Sequence, residues 1–129
     1  MKNTDLLKKL LSSNLLPLAF IGDSVHTLFV REKILNQNLN KMDNYHTQAA
    51  KFCKASSQAK VITSISPLLT EEEQEIVRRG RNAKPKHQAK NASSADYALA
   101  TSFEILVGYL YLKGDEERLN EILTFSISQ

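Results

Sequence analysis

Apolar residues recur every three or four positions along most of the chain, and no segment alternates convincingly with a period of two. That spacing predicts six helical segments. The first covers roughly Asn3 to Ser12, with Leu6, Leu7, Leu10 and Leu11 on one face. The second begins near Pro17, a favourable first-turn residue, and reaches about Leu35, its apolar positions Leu18, Ile21, Val25, Leu28 and Phe29 following a helical period. A third is expected from about Asn44 to Ser64, carrying Ala49, Phe52, Ala59 and Ile62, before Pro67 breaks the chain. Thr70 opens a fourth helix with capping-box spacing to Glu73. Glu71, Glu72 and Glu73 suit its positive end, Arg78 and Arg79 its negative end, and Gly80 is read as its stop. Residues 80 to 93 form a polar connection without periodicity. The fifth segment, Ser94 to Leu112, is the most apolar, and Gly114 separates it from a short sixth helix, Glu116 to about Ile127. The expectation is an all-α fold in a single domain, residues 1–129.

Composition narrows the function classes. With 129 residues, 42% of them hydrophobic, the chain suits one core, and no Gly/Ser linker or internal repeat divides it. The longest apolar run, Ile105 to Leu112, is far too short to span a bilayer. The N-terminus alternates pairs of leucine and lysine and lacks the apolar stretch of a signal peptide, so a cytoplasmic protein with no membrane partner is expected. The single cysteine, Cys53, cannot form an intrachain disulfide and reads as a half-buried, inert thiol. His26, His46 and His87 lie far apart, without zinc-site spacing. His26 and His46 read as surface or partly buried side chains, Tyr109 and Tyr111 as core or interface aromatics.

Two acids stand against the pattern. Asp23 sits inside Leu18-Ala-Phe-Ile-Gly-Asp-Ser-Val25, and Glu104 is the only acid between Tyr97 and Lys113. A carboxylate on a core-forming helix loses hydration, at a cost of several kcal/mol unless it is paired or bound to a cation. Each has a glycine within a turn, Gly22 and Gly108, which suggests close approach by another group. Two such acids without a basic neighbour in sequence can share Mg²⁺ or Mn²⁺, both of which favour oxygen ligands. The competing reading puts each acid on the solvent edge of its helix, and spacing does not show that the two helices meet.

The charge is concentrated in one place. Arg78 to Lys90 carries six Lys/Arg and no acid, within a net charge of only +3. Arg78, Arg79, Arg81, Lys84, Lys86 and Lys90, with Asn82, suit contact with phosphates and sugars. The segment lacks aromatics for stacking on unpaired bases, which favours duplex backbone over single strands. The competing reading is a solvated charged loop.

Together these elements resemble the ribonuclease III family. Phe20-Ile-Gly-Asp-Ser-Val25 is similar to the second half of its signature, and Thr101-Ser-Phe-Glu-Ile-Leu-Val-Gly108 to its second motif. Ala19 and Thr101 stand where classical members carry further acids. Those departures resemble the Mini-ribonuclease III branch. So do Leu69 to Glu73, Arg78 to Lys84, Gly108 to Leu112 and Glu117 to Leu119, with Ala89-Lys90-Asn91 a looser match. The resemblance spans roughly residues 15 to 123. It implies a catalytic domain acting without a double-stranded-RNA-binding domain. It further implies a homodimeric, metal-dependent endoribonuclease that cleaves double-stranded RNA in maturation of the large-subunit ribosomal RNA precursor, with or without ribosomal-protein assistance. Asp23 and Glu104 would be the catalytic, Mg²⁺-binding residues (Mn²⁺ in its place), and the basic segment the RNA contact. The alternative is a non-catalytic RNA-binding or ribosome-associated protein on the same fold.

Overall fold

The most apolar stretch of the chain becomes the axis around which the rest is wrapped. In a computed structural model, residues 3–37, 44–83 and 93–128 are described and form seven α-helices with one 3₁₀ turn. The helices are α1 (Thr4–Ser12), α2 (Leu16–Gln37), α3 (Tyr45–Cys53), α4 (Ala55–Ile65), α5 (Glu71–Arg81), α6 (Ser94–Lys113) and α7 (Glu116–Ile127), the 3₁₀ turn being Ser66–Leu68. No strand occurs among the described residues. Helix α6 is buried on nearly every side, from Ala100 to Leu112, because α1, α2, α4, α5 and α7 all pack against it. A helix that is apolar all round is stable in water only in such a central position.

The main core joins Leu7, Leu15 and Leu18 to Val61, Ile62, Ile76, Phe103, Leu106, Leu110 and Ile122, among others. A smaller cluster, Val30, Ile34 and Ala49, lies under α3. These two cores explain why the expected third helix is two. Helix α3 packs against α2, whereas α4 packs against α6. The chain changes partner at Lys54, whose backbone is extended (φ −71°, ψ 155°) and which is both the C-cap of α3 and the N-cap of α4. Neither glycine nor proline marks the break. Ser57 stabilises it by donating its hydroxyl to the Lys51 carbonyl.

The expected capping box is present. Thr70 Oγ1 accepts from Glu73 N at 3.1 Å, and Glu73 Oε1 accepts from Thr70 N at 2.9 Å. Glu73 is buried and bound twice by Arg118 at 2.8 Å, which ties the start of α5 to α7 and holds the Glu73 carboxyl below its usual range. Gly80 does not stop α5, which continues to Arg81. It is buried where α5 crosses α6, and an added Cβ would lie 3.1 Å from the Ile105 side chain and 3.3 Å from Ser102 Cα. Gly114, with φ 81°, does end α6, in the left-handed conformation that glycine adopts at least cost.

Candidate active site

The site begins with a contact between backbones. The buried residues of α2, Leu18, Gly22, His26, Val30 and Ile34, recur every fourth position and form the stripe facing the core. At Gly22 this stripe meets α6 so closely that a Cβ would lie 1.8 Å from the Glu104 carbonyl oxygen. The reciprocal contact occurs at Gly108, where a Cβ would lie 2.1 Å from the Leu18 carbonyl oxygen. Two glycines, one on each helix, therefore set how near α2 and α6 come. Gly22 and Gly108 are thus points of close approach between the two backbones.

This approach brings together the two acids singled out in the sequence. Asp23 follows Gly22, and its side chain is hydrogen-bonded to that of Glu104. Asp23 is more exposed than its apolar neighbours suggested, since it lies about 100° round the helix from the buried stripe. Glu104 is the desolvated member of the pair, half-buried between its own helix and α2. Its carboxyl is pushed up to about 8, first by burial and then by the hydrogen bond and charge of Asp23, while a hydrogen bond from Gln58 acts in the opposite sense. No arginine or lysine is among the groups acting on it. Two carboxyls in contact without a basic partner must share a proton or a cation.

Among the described residues, no group of three or more His, Cys, Asp and Glu side chains could hold a metal ion. Ala19 lies one turn before Asp23 and Thr101 one turn before Glu104, so the faces that could have supplied further carboxylates carry none. What remains is a pair of carboxylates. That fits a hard divalent cation such as Mg²⁺, which takes one or two protein carboxylates and completes its shell with water and substrate phosphate. The meeting of the two carboxyls, with no basic group acting on Glu104, is what tests this fit, because a divalent cation between them would supply the positive charge that the protein does not.

The histidines fall on either side of the expectation. His46, near the start of α3, is exposed. His26 is only 1% exposed and packs edge-on to Phe103, with ring centroids 4.9 Å apart. Burial lowers it to about 4, with the Asp23 charge acting against that shift, so it is neutral at physiological pH. Its Nδ1 lies 3.2 Å from Gln58 Nε2. Gln58, 3% exposed, is the residue sequence reasoning missed. A signal existed, because Gln58 occupies the apolar stripe of α4 with Val61, Ile62 and Ile65. Cys53 is half-buried as expected, and Tyr109 is buried with its hydroxyl on Glu72.

The basic residues divide. Arg78 pairs with Glu75 on the surface of α5, and Arg79 donates to the Leu11 carbonyl at 2.7 Å, capping the end of α1. Arg81 and Asn82 are exposed where α5 ends. Lys84, Lys86 and Lys90 lie outside the described residues. Through Gly80, this end of α5 is anchored on Ser102 and Ile105, beside Glu104 in sequence but on other faces of α6. The outer face of α2 presents Phe20, 82% exposed, and Leu28, 61% exposed. Next to it is an apolar groove of about 260 Å³ lined by Val25, Phe29, Leu110, Tyr111, Leu119 and Leu123. No helix among the described residues is long and apolar enough to cross a membrane.

Comparison with known proteins agrees with this architecture. Residues 16–115 match the ribonuclease III domain family. The chain is 46% identical to the Mini-ribonuclease 3 of a Thermoanaerobacter species over 98% of its own length and 91% of that protein. It is 46% identical to the Mini-ribonuclease 3 of Symbiobacterium thermophilum over 84% of its length and 83% of that protein. A crystal structure of a Fusobacterium nucleatum protein superimposes with a TM-score of 0.81, at 27% identity, over 90% of this chain and 93% of that one. With paired acids on crossing helices, a family match across most of the chain and relatives of this kind, the protein belongs to the ribonuclease III family, on its Mini-ribonuclease 3 branch, and is an endoribonuclease.

Proposed function

We propose that this endoribonuclease hydrolyses double-stranded RNA with a divalent cation, Mg²⁺ or Mn²⁺, held by Asp23 and Glu104. The observation that carries the reading is the contact between these two carboxyls, without a basic partner, where α2 and α6 cross. When bound, the cation supplies the Lewis acidity and the activated water of phosphodiester hydrolysis. The chain's own residues would hold it: Gly22 and Gly108 set the helix spacing, and burial of Glu104 limits the water that would otherwise screen its attraction to the cation.

Arg81 and Asn82, at the exposed end of α5, with Arg78 beside them and Lys84, Lys86 and Lys90 following, are assigned to duplex phosphates. Arg79 is included in that set, although its bond to Leu11 gives it a second task. The exposed Phe20 and Leu28 support association of two copies through α2, since a second subunit would take these side chains out of water. A two-fold homodimer would present two acidic pairs and two basic segments to one duplex. The precursor of large-subunit ribosomal RNA, in the cytoplasm, is the substrate proposed from that resemblance, with or without ribosomal-protein assistance.

The deciding experiment is cleavage of long double-stranded RNA by wild type and Asp23→Asn, with Mg²⁺ and with EDTA. Cleavage should need the cation and vanish in the variant, while RNA binding survives. Cleavage by the variant at saturating Mg²⁺ would remove Asp23 from the chemistry. Alanine at Arg78 and Arg81 together should lower duplex affinity and reduce its salt slope by about two, at close to one per lost phosphate contact. An unchanged slope takes both out of the interface.

A further inference from the structure

Glu104 is approached from below by a chain of buried polar groups that the reading so far leaves without a role. Ser126 on α7, His26 on α2 and Gln58 on α4 are all buried, and they touch in that order. Gln58 then bonds to the Glu104 side chain. Four helices therefore converge on one carboxylate through three uncharged side chains.

The direction of each bond can be worked out from one end. Ser126 Oγ donates to the Leu123 carbonyl at 2.6 Å, which uses its only hydrogen. It lies 3.4 Å from His26 Nε2, so in that contact it can only accept, and Nε2 carries the hydrogen. A neutral imidazole protonated at Nε2 has a bare Nδ1. Gln58 Nε2, 3.2 Å away, donates to it. The amide nitrogen has a second hydrogen, and Glu104 is the acceptor in contact. Each group has one orientation that satisfies its neighbours, and no buried side-chain N or O among the described residues lacks a partner. A glutamine free to turn could offer Glu104 its oxygen instead, which would repel a carboxylate. The imidazole forbids that rotation.

We infer that Gln58 is a positioning residue for the cation site: its amide, locked by the neutral His26 imidazole, donates to Glu104 and holds that carboxylate in the rotamer that meets Asp23. The inference rests on the reading that Asp23 and Glu104 bind the cation. It gives the kink at Lys54 a purpose, since the change of direction there places the apolar stripe of α4, and Gln58 with it, against α6. It also accounts for His26 being buried at a cost, because only a neutral ring with a bare Nδ1 can select the amide orientation.

The test compares wild type with Gln58→Leu, similar in volume but without a donor, and Gln58→Met, which fills the same space flexibly if the leucine variant does not fold. Mn²⁺ binding is measured by titration calorimetry on the RNA-free protein, and the Mg²⁺ dependence of duplex cleavage separately. Groups that orient a metal ligand typically contribute 10- to 100-fold in metal affinity. The expected result is a loss of that size in Mn²⁺ affinity and a matching rise in half-saturating Mg²⁺. The rate at saturating Mg²⁺ should stay within a few-fold of wild type, and duplex binding should not change. A merely structural role would lower the folded fraction without moving the metal constants of the folded protein. His26→Leu should reproduce the Gln58→Leu loss, the double variant should add little, and His26→Asn, which keeps an acceptor near Nδ1, should recover most of it. Unchanged Mn²⁺ affinity in both Gln58 variants overturns the inference. If Asp23→Asn also leaves Mn²⁺ affinity unchanged, it is the underlying metal assignment that fails.

Discussion

Alanine at position 22 would place its Cβ 1.8 Å from the Glu104 carbonyl oxygen and 2.7 Å from the carbonyl carbon. Both atoms are backbone of a buried helix, so no side-chain rotation relieves the clash. Ordinary van der Waals contact begins at 3.4 Å, and α2 and α6 would have to part by about 1.6 Å. The gap would open along the stripe of Leu18, His26, Val30 and Ile34. A buried leucine makes some 40–60 contacts worth about 0.1–0.2 kcal/mol each, and a gap of even 0.5–1 Å forfeits roughly a quarter to a half of them, so Leu18 alone stands to lose about 2 kcal/mol. The rest of the stripe brings the loss to about 4 kcal/mol, against about 1 kcal/mol regained from alanine's higher helix propensity. The net expectation for Gly22→Ala is a destabilisation of about 3 kcal/mol, lowering Tm by roughly 10 °C in a domain of this size. Cleavage, measured well below the midpoint, should fall by about two orders of magnitude, since a displacement near 1 Å at a catalytic pair has that effect. Urea denaturation followed by circular dichroism measures the first and a Mg²⁺-dependent duplex assay the second. Gly80→Ala is the control. Its nearest new neighbour is the end of the flexible Ile105 side chain at 3.1 Å, and the change should stay within about 1 kcal/mol. A Gly22→Ala protein as stable as wild type would refute the view that this backbone contact sets the helix spacing.

Two pH dependences follow. His26 is lowered to about 4 from 6.5, so above pH 6.5 both folded and unfolded states hold it neutral. As pH falls from 6.5 towards 4 only the unfolded state takes up the proton, and stability should drop by about 3 kcal/mol across that window. His26→Asn should abolish this contribution, and an unchanged acid limb of the stability curve in that variant would contradict the assignment. Glu104, raised to about 8, acts with the opposite sign: its cost to the metal-free protein grows as pH rises from 4.5 to 8. A cation competes with that proton, so Mn²⁺ affinity should rise by up to about tenfold per pH unit between 6 and 8 and then level off. Mn²⁺ affinity that is flat over this range, by calorimetry, would show that Glu104 is not protonated in the free enzyme.

Much of the fold was legible because its signals are local. The period of the apolar residues, the Thr70–Glu73 capping box and the left-handed Gly114 are set by neighbours within a turn or two, and the structure keeps all three. The break at Lys54 was not legible, because Lys54 has no intrinsic reason to end a helix. It does so because α3 and α4 pack against different partners. Gly80 misled for a related reason, since it is buried by packing on α6 rather than placed in a turn.

The candidate site divides along the same line. The sequence by itself determined that Asp23 and Glu104 are acids lodged in core-forming helices, each within a turn of a glycine and without a basic partner nearby. Those are properties of spacing, and spacing carries them. Only the tertiary structure decided that the two acids meet, that Glu104 rather than Asp23 is the desolvated one, and that Gln58 and His26 stand behind it. Each of those depends on how helices remote in sequence are rotated and how closely their backbones approach. The reciprocal contact of Gly22 with Glu104 and Gly108 with Leu18 sets that approach.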